Sequence, residues 1–177
     1  MRRQTTLSNK RPLKSPKKEL WKAWIAAILW LILIAIESTD WLSSDNTSRI
    51  LYPILHFLTG VDPVRFVTWN YYIRKAGHVC GYFGLSLLLY RAWHRTISFA
   101  ERRRWSIRWS RIAFIMTMLV ACLDEWHQTF IPSRTGLVKD VLLDSTAALV
   151  AQVFVFFYLR GARSAADRAQ VEELTSA

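Results

Sequence analysis

Four blocks of apolar residues, separated by charged or polar stretches, run through this chain. They cover residues 20–36, 76–93, 112–130 and 137–159. Each block is close to the length of a helix that crosses a hydrocarbon layer of about 30 Å at 1.5 Å per residue, the first once its flank to Trp41 is counted. The pattern predicts an all-α integral membrane protein with four transmembrane helices. A cleaved signal peptide is the alternative for the first block, but no A-x-A site follows it.

A fifth apolar stretch, residues 50–58, is too short to cross the membrane. Gly60, Asp62 and Pro63 follow it and are typical helix breakers. We therefore expect a short interfacial helix between the first and second spans. A re-entrant segment is the alternative reading.

Lysine and arginine are distributed unevenly around the four blocks. If residues 1–22, residues 91–111 and the segment from Arg160 onward share one side, that side holds 18 of the 24 and the other side holds six. The positive-inside rule then places both termini in the cytoplasm. We expect a basic tail over residues 1–19, a membrane domain over residues 20–160 and a cytoplasmic tail over residues 161–177.

The composition supports a membrane protein and argues against a soluble domain or a nucleic-acid-binding protein. The chain is 52% hydrophobic with a mean hydropathy of +0.13, which is high for a soluble domain. Its net charge of +11 would also suit a nucleic-acid-binding protein. The uneven distribution of this charge is better explained by the orientation of membrane helices, so no nucleic-acid partner is expected. Cys80 and Cys122 form no zinc or CxxC pattern, and we expect both to be buried as small hydrophobes. A disulfide between them is the alternative.

Ionisable residues gather at one end of three of the apolar blocks. With this topology those ends meet at one depth, at the outer face of the membrane. Spacing by four places side chains of each block on one helical face. The predicted site comprises Arg74, Lys75, His78, Tyr82, Asp124, Glu125, Gln128, Arg134, Asp140 and Asp144.

Several chemistries are open to this set. Arg74, Lys75 and Arg134, together with the polar groups of Tyr82, Gln128 and Asp140, would bind an anionic ligand. His78 with Asp124, Glu125 or Asp144 would act as general acid and base. The same histidine and carboxylates suit zinc or manganese, although no metal motif occurs and no metal ligand is predicted. The alternative is a purely structural role, in which the charges neutralise one another and hold the helices together.

Two sequence blocks resemble a known family. The segments RKAGHVCGYFGLSLLL and DEWHQTFIPSRTGLVKDVLLD are similar, in order and spacing, to the two motifs of VanZ-like membrane proteins. The resemblance covers roughly residues 20–160 and selects the same ten positions. The chain departs from it with Gly81, where many members have an acidic residue, and with Ala147 and Ala151, where glycines are often found.

The resemblance implies a protein of the bacterial cytoplasmic (inner) membrane. Its name-giving member is linked to resistance to glycopeptide antibiotics, particularly teicoplanin. We expect membrane lipids as partners and a lipid, a lipid-linked cell-wall precursor or an amphiphilic antibiotic of glycopeptide type as ligand. A non-catalytic scaffold and a small transporter are the alternatives, and neither a cofactor, an oligomeric state nor catalysis follows from the sequence.

Overall fold

The computed structural model describes residues 16–96 and 106–175, and these residues form helices and no strands. The helices are α1 (Pro16–Glu37), α2 (Ser44–Thr59), α3 (Pro63–Thr96), α4 (Ile107–Gln128) and α5 (Val138–Thr175), with a short 3₁₀ helix at Asp40–Leu42. The all-α prediction is confirmed. Most of the predicted basic tail (residues 1–15) and the arginine run at 102–104 lie outside the described residues.

Two of the described helices are long and apolar enough to cross a membrane, at Lys17–Glu37 and Val138–Glu172. A third span is reached if α2 and α3, which meet at 114°, are counted as one broken span. The helix α4 carries Arg108, Arg111, Asp124 and Glu125 and is not among them. The predicted number of four spans and the division into a membrane domain and two tails therefore stay predictions.

The helices α1 and α3 pack against each other in opposite directions. Trp24, early in α1, meets Trp93 near the end of α3 with ring centroids 5.3 Å apart. Further along α1, the Trp30 indole nitrogen donates a hydrogen bond to the Gly81 carbonyl at 2.9 Å. Residue numbers thus rise along one helix as they fall along the other.

The helices α3 and α5 run in the same direction. Lys75 of α3 pairs with Asp140 at the start of α5, and Ser86 donates to the Ala148 carbonyl at 3.0 Å further along. The Gln152 amide in turn donates to the Ser86 hydroxyl at 2.7 Å. Ala148 and Ala151 of α5 are fully buried, and their small side chains let the two backbones approach closely.

The helix α2 lies outside the packed bundle, and none of its described residues is buried. The Ser43 hydroxyl accepts a hydrogen bond from the Asn46 amide at its start, and Gly60 ends it at a φ of 66°, which glycine adopts without steric cost. Its apolar side chains at Ile50, Ile54 and Phe57 are exposed on one stripe. The short helix predicted for this segment is confirmed, and its location at the membrane interface stays a prediction.

The helix α3 begins at Pro63, well before the predicted start of the second span at Ala76. Asp62 caps it, since its carboxylate accepts hydrogen bonds from the backbone amides of Val64 and Arg65, both at 3.0 Å. The hydrogen bond from the Arg65 backbone amide holds the pKa of Asp62 below its ordinary value. Proline at the first helical position needs no amide partner and fits this start.

The two cysteines are exposed and free, so the prediction that they are buried is wrong. Cys80 lies on α3 and Cys122 on α4, in stretches that are apolar all round. In such helices hydrophobicity does not distinguish the packed face from the outward one. Polar positions identify the inner face better, as Ser86 and Thr117, both fully buried, illustrate.

Candidate functional site

A polar cavity of about 680 Å³ opens at one end of the helix bundle. Its walls come from α2, the first half of α3, the end of α4, the connection to α5 and the start of α5. Seven of the ten predicted site residues line it: Arg74, Lys75, His78, Glu125, Gln128, Arg134 and Asp140. The other three, Tyr82, Asp124 and Asp144, are buried next to these lining residues.

The predicted convergence of the three polar helix ends is seen directly in the contacts between helices. The Tyr82 hydroxyl of α3 donates a 2.7 Å hydrogen bond to the Asp124 carboxylate of α4. The His78 Nδ1 atom lies 3.4 Å from the Asp144 carboxylate of α5. Both contacts join residues more than 40 positions apart, which the sequence spacing alone does not pair.

An ion pair closes one wall of the cavity. The Lys75 ammonium lies 2.6 Å from the Asp140 carboxylate, and both side chains are mostly buried. The Lys75 ammonium also lies 5.6 Å from the centre of the exposed Tyr71 ring. Lys75 therefore neutralises Asp140 and also lines the cavity.

The connection between α4 and α5 is folded back onto the end of α4. The Leu137 amide donates to the Glu125 carboxylate at 2.8 Å. A side chain at Gly136 would overlap the Glu125 carbonyl oxygen and the Thr129 side chain, so this close approach requires glycine. The Glu125 carboxylate is thereby oriented by the backbone that follows its own helix.

Arg134 joins this connection to the end of α1. Its Nη2 atom donates to the Glu37 carbonyl at 2.6 Å and to the Thr39 carbonyl at 3.0 Å. The neighbouring Ser133 hydroxyl donates to the Asp40 carboxylate. Arg134 thus has a structural role besides lining the cavity, whereas sequence reasoning assigned it only to ligand binding.

Three buried polar atoms of the site have no hydrogen-bond partner among the described residues: the Oδ1 atoms of Asp124 and Asp144 and the Nε2 atom of Gln128. Asp144 is fully buried, and Asp124 and Gln128 are less than a tenth exposed. Buried polar groups are nearly always paired, so a cluster of unpaired ones points to a binding or catalytic role. These atoms lie where a ligand, an ion or a proton would complete their bonding.

Sequence reasoning missed the wall formed by α2 and the first turns of α3. Tyr52 and Arg49 of α2 and Asn70 of α3 line the cavity, and Asn70 is buried with its amide donating to the Ser44 hydroxyl at 2.9 Å. A signal existed for Asn70, because it lies four residues before Arg74 and extends the same helical stripe. The α2 residues gave no such signal, since their helix was expected to lie on the membrane surface.

The described residues form a largely apolar helical bundle with a polar cavity at the ends of its helices. The family model described as VanZ/LLP1 matches residues 23–159, which is well over half of the chain. The chain therefore belongs to the VanZ/LLP1 family, as its two motifs indicated. No curated protein and no solved structure matches it.

Proposed function

We propose that this chain is a four-span protein of the bacterial inner membrane, with both termini in the cytoplasm and the polar cavity at the outer face. Large apolar side chains along α1 and α5 are exposed, as in lipid-facing helices; Ile25, Leu29, Val150 and Phe154 are examples. The helices α3 and α5 are parallel and α1 is antiparallel to them, so the connections between helices lie at two opposite ends of the bundle. The uneven lysine and arginine count then assigns one of these ends to the cytoplasm.

Cysteine accessibility tests this topology. Thr135 lies in the connection between α4 and α5, and Ser106 precedes α4. In a background where Cys80 and Cys122 are serine, Thr135→Cys should react with a membrane-impermeant maleimide in intact cells, and Ser106→Cys only after lysis. The reverse pattern would overturn the orientation, and labelling of both in intact cells would overturn the four-span count.

We further propose that the cavity binds the anionic group of a lipid, a lipid-linked cell-wall precursor or an amphiphilic antibiotic of glycopeptide type. The observation that carries this proposal is a cavity of about 680 Å³, lined by Arg74, Lys75 and Arg134. Its volume is within the range of small-molecule sites. Arginine side chains suit phosphate and carboxylate because they donate in pairs.

A proton-transfer role for His78 deepens this proposal. His78 lines the cavity, and the fully buried Asp144 lies behind it. If His78 carries its proton on Nδ1 toward Asp144, its other ring nitrogen is left as a base. Asp124 and Glu125 lie close enough to tune such a step, so an enzyme acting on the bound ligand is the more specific form of the proposal.

The experiment is native mass spectrometry of the full chain purified in mild detergent, with bound lipids identified. Arg74→Gln should reduce co-purified anionic lipid about 10–100-fold, since a hydrogen bond to a charged group contributes about 1.5–3 kcal/mol. Arg163→Gln, on the exposed end of α5, is the matched control and should bind as wild type. Equal lipid occupancy in all three proteins would refute the proposal.

A non-catalytic scaffold is the second candidate, favoured by the Lys75–Asp140 ion pair between α3 and α5. Under this reading, Lys75→Asp should lower the melting temperature, and adding Asp140→Lys should restore both stability and any cellular phenotype. Under the ligand-binding proposal the swapped pair restores stability alone, because the cation no longer lies at the same position in the cavity.

A further inference from the structure

Three side chains that bind metals converge at the base of the polar cavity, one from each of three helices. His78 of α3, Glu125 of α4 and Asp144 of α5 each offer one ligand atom, and these atoms all lie within 4.8 Å of one another. We propose that these three residues bind one divalent transition-metal ion. This inference does not depend on the anionic ligand proposed for the cavity, but it is an alternative to the proton-transfer role of His78, because a ring nitrogen that binds a metal cannot also donate a proton to Asp144.

Burial distinguishes this group from an ordinary acidic surface cluster. Asp144 is fully buried and Glu125 is 4% exposed. One Asp144 oxygen has no hydrogen-bond partner among the described residues, while the other faces His78. Buried carboxylates are costly unless they are paired, protonated or bound to a cation.

Two cations that line the cavity have other partners as well. Lys75 pairs with Asp140, and Arg134 donates to the backbone at the end of α1. If both are ionised, Glu125 and Asp144 carry two negative charges next to a third carboxylate, Asp124. A divalent ion would neutralise the first two and leave Asp124 bonded to the Tyr82 hydroxyl.

The separation of the His78 and Asp144 ligand atoms suits direct coordination. Two ligand atoms at about 2.1 Å from a tetrahedral ion lie roughly 3.4 Å apart. The His78 Nδ1 and Asp144 Oδ2 atoms are separated by 3.4 Å. Glu125 is also held in place from outside the group, because the Leu137 amide donates to its Oε2 atom. Such outer hydrogen bonds orient metal ligands in proteins.

The chemical types of the three ligands favour some metals over others. An imidazole with two carboxylates suits zinc, manganese or iron better than magnesium or calcium, which prefer oxygen ligands alone. Three protein ligands leave at least one coordination position open. His78 and Glu125 line the cavity, so that position faces it and would take a water molecule or, if the proposed function holds, a ligand oxygen.

The test is equilibrium dialysis of the EDTA-treated full chain in detergent against ZnCl₂ or MnCl₂, with metal measured by mass spectrometry. Wild type should bind about one ion per chain, and Asp144→Asn or Glu125→Gln should weaken binding at least 10-fold. Asp167→Asn is the control and should bind the metal as wild type does, since it removes an exposed carboxylate of α5 that lies outside the cavity. Circular dichroism checks that each variant is folded.

A second measurement avoids variants altogether. Cobalt(II) bound to the wild-type chain should give visible absorption bands typical of four- or five-coordinate nitrogen and oxygen ligation. Less than about a tenth of an ion per wild-type chain, a six-aqua cobalt spectrum, or wild-type affinity in Asp144→Asn would each overturn the metal site. Lipid occupancy that survives EDTA and still depends on Arg74 would leave the proposed function standing without the metal.

Discussion

Substituting Tyr82 by phenylalanine tests whether the buried polar contacts stabilise the bundle. Tyr82 is 1% exposed, and its hydroxyl is the described donor to the Asp124 carboxylate, at 2.7 Å. The other Asp124 oxygen has no partner among the described residues. Phenylalanine keeps the packed ring and removes only the donor.

The expected cost follows from the charge of the acceptor. A hydrogen bond to a charged group contributes about 1.5–3 kcal/mol, and the carboxylate left behind cannot turn to water. For a chain of this size the melting temperature should fall by roughly 3–12 °C. Tyr72→Phe, on the exposed side of the same helix, is the matched control and should change it little.

The assay is thermal unfolding in detergent, followed by circular dichroism, on wild type, Tyr82→Phe, Asp124→Asn and the double variant. Tyr82→Phe should cost about half as much in the Asp124→Asn background, because no charge then remains to be compensated. If Tyr82→Phe unfolds within 1 °C of wild type, or as Tyr72→Phe does, the contact is not stabilising and the reasoning is refuted.

Three glycines give further predictions by the same thermal assay. Gly84→Ala should destabilise the protein by about 1–2 kcal/mol, because the new methyl group would lie 2.8 Å from the Trp30 ring. Gly77→Ala in the same helix meets nothing within 4 Å and should stabilise the protein by up to about 1 kcal/mol. Equal effects would contradict this packing. Gly136→Ala should cost at least about 2 kcal/mol, since the new methyl group overlaps the backbone carbonyl of Glu125 in addition to the Thr129 side chain, and the backbone cannot move aside cheaply. A stable Gly136→Ala variant would show that the connection rearranges freely.

The positions of the site could be predicted because ionisable residues are rare in apolar helices. His78, Asp124 and Asp144 stand out in the sequence for that reason, and spacing by four assigned them to inward faces. The partners could not be predicted, because periodicity gives the face of a helix but not which side chain of another helix it meets. That Tyr82 pairs with Asp124, and His78 with Asp144, depends on the packing of three helices.

Helix boundaries and lipid-facing positions were harder to predict. The first turns of α3 contain Arg65 and Asn70 and are not apolar, so a search for apolar blocks placed the helix start too late. The outward positions of Cys80 and Cys122 were also missed. In a bundle surrounded by lipid the outside is as apolar as the inside, so apolar residues carry little information about burial.

The polar contacts between α3 and α5 define how far one helix can slide along the other. They occur at three levels: Lys75 with Asp140, His78 with Asp144, and Ser86 with Ala148 and Gln152. A shift of one helical turn, about 5.4 Å, would bring Lys75 beside Asp144 in one direction or His78 beside Asp140 in the other, but in either direction one of the two ion pairs is lost. Apolar packing alone would tolerate such a shift at low cost, whereas the lost polar contacts would not. The polar contacts therefore favour one axial alignment of the two helices.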